Sequence, residues 1–176
     1  MYTSFVEINA GSGNIEPIKT ERFSGTDHPE VAAYLKGDHG HIVQVPTDSI
    51  LDTWVDMPVY SKNFGDCLPL IALKDNKAQM IHRGVGLISG YDFGAFTDKV
   101  NNHLSDWQKA GAKVSVLKAD RTRHLDTSLV EVKRLFGNNF QFIDFKMNSM
   151  FDIIVDPKSN LLLVQFKSGE FRKYNI

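Results

Sequence analysis

Cys67 is the one cysteine in the chain, and His82 follows it fifteen residues later. A thiol and an imidazole that meet make a nucleophile with its own acid–base partner. An ordinary thiol has a pKa of about 8.5, and an adjacent imidazolium lowers it enough to give thiolate at neutral pH. Thiolate adds to electrophilic carbonyl carbon, and the imidazole that took the proton can return it to a departing amine. Apart from each other, the same residues are a small buried hydrophobe between Phe64 and Leu68 and a core histidine on a strand. What the pair can do therefore depends on the elements that carry it.

Those elements read as one β-hairpin. Leu68-Pro69-Leu70-Ile71-Ala72-Leu73 is an apolar run, Lys74-Asp75-Asn76-Lys77 is polar turn chemistry, and Ala78-Gln79-Met80-Ile81-His82 alternates like a returning strand. Asn and Asp tolerate positive φ, so Asp75-Asn76 suit the two centres of a tight turn. Counting back from Lys74 opposite Lys77 places Pro69 opposite His82. Cys67, two residues before Pro69, then shares the face of His82 as its diagonal neighbour, roughly 7–8 Å away along the backbone. One residue more or fewer in the turn would separate them.

Phe64-Gly65-Asp66-Cys67, the apolar strand, the polar turn and Met80-Ile81-His82-Arg83-Gly84 together resemble the catalytic region of the Cys-His protein-glutamine deamidases. That superfamily includes the cytotoxic necrotizing factor catalytic domain, the Burkholderia lethal factor and the chemoreceptor glutamine deamidase. The resemblance covers Ser61 to Gly90. It implies Cys67 as nucleophile, His82 as its acid–base partner on the neighbouring strand, and Ser61 in the place of a Thr that orients the histidine. It also implies a layered α/β fold and no metal or cofactor. Where relatives carry Ser or Gly before the cysteine, this chain has Asp66. A carboxylate close to the thiol would raise its pKa, but alternation along a strand turns Asp66 away.

The rest of the sequence describes the host for such a site. A length of 176 residues with 42% hydrophobic and 11% aromatic content suits a single domain, 1–176, with a real core. Formal net charge is −1 with scattered basic residues, which gives no footprint for nucleic acid or an anionic membrane. The most basic stretch, Lys118 to His124, reads as a solvated loop before a helix. Met1 to Glu7 lacks a basic n-region and an apolar h-region, so Sec export is not expected. One cysteine excludes an intramolecular disulfide. The expected setting is a bacterial cytoplasm, or a host cytosol reached through a specialised secretion system.

Along the chain, strands are expected at Tyr2–Ile8, His41–Val45, Val114–Leu117, Phe140–Phe145, Ile153–Val155, Leu161–Phe166 and Phe171–Tyr174. Pro29 to Leu35 reads as a short helix. Phe96, Val100, Leu104 and Trp107 form the apolar stripe of a longer one ending near Gly111, and Ser128 to Phe136 is another, with Asp126-Thr127 at its start and Gly137 at its stop. Asp48 to Pro58 fits no single pattern. The glycine-spaced run Gly84 to Gly90 would let backbone approach a ligand closely. Strand runs before and after two helices predict an α+β fold, a layered, mixed, mainly antiparallel sheet with helices packed on it.

Two further constellations compete for a role. His39 and His41 share a face in an extended strand, with His28 and Asp38 nearby, but a third ligand is missing and a polar loop is the expected outcome. Asp144, Asp152 and Asp156 lie near strand ends where any of them could supply a third catalytic group. The function expected from residues and resemblance is a protein-glutamine deamidase, a bacterial effector or toxin, converting a side-chain amide to glutamate through a thioester. Its partner is a target protein with a reactive glutamine: a host GTPase, a translation factor or a bacterial receptor. The alternatives are a non-catalytic binding module of immunity or adaptor type with a structural cysteine, and another cysteine hydrolase or transglutaminase.

Overall fold

The computed structural model describes residues 4–8, 15–17, 33–34, 36–37, 41–47, 49–65, 67–83, 93–119 and 126–176. Within them the strands are β1 (Ser4–Ile8), β2 (Ile15–Pro17), β3 (His41–Gln44), β4 (Ser49–Val55), β5 (Val59–Phe64), β6 (Leu68–Lys74), β7 (Lys77–Arg83), β8 (Lys113–Lys118), β9 (Phe140–Asp144), β10 (Phe151–Asp156), β11 (Leu161–Phe166) and β12 (Phe171–Asn175). The helices are α1 (Phe93–Lys109) and α2 (Asp126–Phe136). The fold is mostly strand, and its layered, mainly antiparallel α+β arrangement is the one the sequence predicts, with two sheets where one was expected.

The strands divide into two sheets, ordered β12-β11-β10-β5-β3-β1-β2 and β4-β7-β6-β8-β9. Among the described residues, parallel pairing is confined to β1 with β3, β3 with β5, and β8 with β9. The last of these encloses α2, because parallel neighbours need a long crossover.

Side-chain alternation shows how the layers stack. Ile71, Leu73, Ala78, Met80 and Leu117 from the smaller sheet pack with Val59, Phe64, Phe151, Ile153, Val155, Val164 and Phe166 from the larger, forming a dry core between the sheets. The opposite face of the smaller sheet, Leu68, Leu70, Ala72, Ile81, Val114 and Val116, packs on Val100, Leu104, Trp107, Val132 and Phe136 of the two helices. Strands buried on both faces read as continuous apolar runs, which is why Leu68 to Leu73 shows no alternation.

Polar groups hold the helix layer in register. The Trp107 indole N–H donates to Gln79 Oε1, and Gln79 Nε2 donates to the Asp52 carbonyl, so one buried side chain links α1, β7 and β4. Gly111, at φ 71°, ends the first helix with its N–H on the Gln108 carbonyl at 3.0 Å. Gly137, at φ 51°, follows Phe136 at the end of the second.

Sequence periodicity missed β4 and β5. Their pairing is irregular: β4 shifts register between Leu51 and Val55, and β5 carries a bulge opposite β10. Trp54 packs toward the helix layer and Met57 toward the intersheet core, which resolves the ambiguous stretch. The expected helix at 29–35, the turn at 11–14 and the glycine run at 84–90 lie outside the described residues, residues 33–34 excepted. No helix among the described residues is long and apolar enough to cross a membrane.

Candidate active site

The hairpin forms in the predicted register. Asp75 and Asn76 take φ of 50° and 56°, the left-handed pair that a two-residue turn needs. Lys74 then faces Lys77 and Pro69 faces His82. Proline has no N–H for a ladder on its other side, and β6 pairs with β8 only from Leu70 onward. Ala78 and Met80 point into the intersheet core, so His82, at even spacing from both, points there too. Cys67, one residue before β6, is half-buried and packs against that same core cluster. The thiol and the imidazole therefore belong to one face of the smaller sheet.

The larger sheet supplies the ring's other neighbours. Ser61 Oγ lies 2.9 Å from His82 Nδ1 and donates its own hydrogen to the Val45 carbonyl at 2.5 Å. That carbonyl is held in place because the Val45 N–H donates to the Tyr60 carbonyl at 2.9 Å. A hydroxyl that has spent its only hydrogen can still accept, so Nδ1 carries the proton and Nε2 keeps its lone pair. Phe64 stacks on the imidazole with ring centroids 3.9 Å apart and planes 23° apart. Within the smaller sheet, buried Ser49 lies opposite His82 on β4.

His82 is wholly buried, and Nε2 has no hydrogen-bond partner among the described residues. Burial pulls its pKa down to about 3, against a smaller upward pull from hydrogen bonding toward the Val45 carbonyl. This corrects one sequence expectation. The resting imidazole is neutral at neutral pH, so it meets a thiol as a ready base and not as a preformed imidazolium. An unprotonated, buried Nε2 is a strong hydrogen-bond acceptor.

Gly65 lets the chain pass tightly beside Met150: a Cβ there would stand 3.2 Å from Met150 Cγ. Asp66 lies outside the described residues.

None of the three candidate aspartates is brought to the imidazole. Asp144 pairs with Lys146 at 2.7 Å. Asp156 accepts the Tyr34 hydroxyl at 3.1 Å and the Lys158 N–H at 3.1 Å. Asp152 alternates with Phe151 and Ile153, so it leaves β10 on the outer face. What lies beyond Ser61 on the Nδ1 side of the ring is the Val45 backbone carbonyl, to which Ser61 donates. Sequence reading missed it because a main-chain acceptor has no residue signature, and missed Phe64 and Ser49 because the β5 register shift and the β4–β7 pairing place them beside the ring.

Among the described residues no group of His, Cys, Asp and Glu is placed to hold a metal. His41 is exposed, and His28, Asp38 and His39 lie outside the described residues. Lys118 ends β8, while residues 120–124 of the basic stretch are outside as well. No protein-family model matches this chain, and no curated protein matches it.

Proposed function

We propose that this chain is a cysteine-dependent amidohydrolase that deamidates a glutamine side chain of a target protein. The observation that carries the reading is the Val45 carbonyl–Ser61–His82 relay, which leaves a buried Nε2 lone pair on the sheet face that Cys67 shares.

The chemistry runs as acyl transfer. Nε2 takes the Cys67 thiol proton as sulfur adds to the carboxamide carbon, and the carbonyl oxygen becomes an oxyanion held by backbone N–H groups near Cys67. The imidazolium is formed only now, stabilised through Nδ1–H by the Ser61–Val45 relay and by the oxyanion. It protonates the amide nitrogen, the C–N bond breaks, and ammonia leaves a thioester. His82 then removes a proton from water as it attacks the thioester, and the thiol leaves reprotonated with glutamate as product. An amine in place of water gives transglutamination.

The resemblance of residues 61–90 supports glutamine, and a protein target, over other acyl substrates. A bacterial effector or toxin acting on a host GTPase or translation factor, or a cytoplasmic enzyme acting on a receptor, would use the same site within a single domain. Incubation with a susceptible cell lysate should give a mass gain of about one dalton at a target glutamine, absent with Cys67→Ser. No such change, with the folded protein and ammonia detection in parallel, sinks the reading. A second reading, a binding module whose Cys67 and His82 are core residues, draws on the complete burial of His82. It predicts that Cys67→Ala costs about 1 kcal/mol or more of stability and alters no reaction.

A further inference from the structure

The irregularity in β5 has an identifiable cause on the far side of the sheet. Phe151 faces Phe64 and Ile153 faces Ser61, so Lys62 and Asn63 together oppose Asp152 alone. Two residues against one is a β-bulge. Without it, Ser61 and Phe64, an odd number of positions apart, would point to opposite faces. With it, both reach the imidazole, one by a hydrogen bond at 2.9 Å and one by a ring stack at 3.9 Å. The bulge is therefore what turns a strand into two walls of the site.

The bulge residue Asn63 sits at φ 64°, a left-handed conformation that Asn tolerates better than most residues. Its N–H, turned out of the ladder, donates to Asp152 Oδ1 at 2.8 Å. The other carboxylate oxygen accepts the Tyr60 hydroxyl at 3.3 Å. Asp152 is only 5% exposed, so a charge-assisted bond to the displaced amide replaces the ladder bond that the bulge removes. Asp152 thus binds both Asn63, inside the bulge, and Tyr60, the residue before Ser61.

We infer that Asp152 is a positioning residue for His82: from the outer face of β10 it fixes the β5 bulge that presents Ser61 and Phe64 to the imidazole. For its relevance to catalysis this rests on the Cys-His reading above. The effect on the ring stands without it.

Histidine-labelled nitrogen spectra separate the two questions. In the wild type, His82 shows a single tautomer protonated at Nδ1. Asp152→Ala mixes the tautomers or transfers the proton to Nε2, and Asp152→Asn, which keeps an acceptor for the Asn63 N–H, restores the wild-type spectrum. Leu162→Ala, a truncation of the intersheet core on the neighbouring strand β11, loses stability and leaves the His82 tautomer unchanged. Should Asp152→Ala not fold, Asp152→Thr, a good strand former whose hydroxyl stops a bond short, serves as the same test. A folded Asp152→Ala or Asp152→Thr variant with the wild-type tautomer overturns the inference, and so does an equal change in Leu162→Ala. The rate of ammonia release, read on the same variants, falls with the tautomer if the deamidase reading is right. Altered tautomers in a protein that never releases ammonia uphold the positioning role and reject the reaction.

Discussion

His82 is a wholly buried base, and that arrangement has a cost with a definite sign. Its folded pKa of about 3 lies below the ordinary 6.5, so the unfolded chain takes up the proton first as pH falls. Stability from this residue is complete above pH 6.5 and is lost progressively between 6.5 and about 3, at about 1.4 kcal/mol for each unit. Half-buried His103 is shifted the same way by burial, so the slope does not rest on His82 alone. Urea unfolding at a series of pH values should show a shallower acid loss in His82→Asn than in the wild type, and equal slopes would mean that the ring is solvated. Ser61 tests the relay on the other side of the ring. Ser61→Ala leaves both Nδ1–H and the Val45 carbonyl short of a partner, an expected loss of about 1–3 kcal/mol. It should also slow alkylation of native Cys67 by iodoacetamide at neutral pH. If Ser61→Ala alkylates with the wild-type pH profile, Ser61 does not act on the pair.

At the level of elements, the hairpin is the part that determines whether the thiol and imidazole share a face. Its turn residues carry that information locally. Asn76 at φ 56° should accept glycine with a gain of a few tenths of a kcal/mol, whereas Asn76→Val, β-branched in a left-handed position, should lose about 1 kcal/mol or more. Denaturant midpoints at constant slope measure both, and a stable valine variant would mean that the turn is not of this type. The difference in how well the two halves of the site could be read has the same origin. The pairing of Pro69 with His82 was legible because a two-residue turn fixes register by counting, and the apolar stripe of α1 because helical period survives one-sided burial. The role of Val45, Phe64 and the β5 bulge was not. Ser61 could be named as a hydroxyl of the right kind. The fact that Phe64 joins it on one face depends on an extra residue in the ladder, held by a carboxylate distant in sequence. Period-two patterning cannot encode such an insertion, and it also left β5 unrecognised as a strand.

For the whole molecule, the decisive feature is that the candidate site spans the sandwich. Cys67, His82 and Ser49 come with the smaller sheet, and Ser61 and Phe64 with the larger, on a seam that is continuous with the intersheet core. With the sheets packed, the imidazole is buried, the relay is aligned and Nε2 has no hydrogen-bond partner among the described residues. Loss of packing should therefore have two separable consequences according to where it occurs. Leu162→Ala removes a buried side chain from the same core on β11, and should cost about 2–5 kcal/mol. As long as the protein remains folded, the pH profile of Cys67 alkylation should be unchanged, because nothing around the ring has moved. Phe64→Ala should cost a similar about 3–5 kcal/mol and in addition open the face of the imidazole on which Phe64 stacks. Water then reaches the ring, the desolvation that depresses its pKa relaxes, and the His82 titration should move up toward its ordinary value. Carbon-detected titration of the two variants, matched for stability by added osmolyte, tells these apart. Equal shifts in both would mean that His82 responds to global loosening and that Phe64 has no specific part in keeping it neutral.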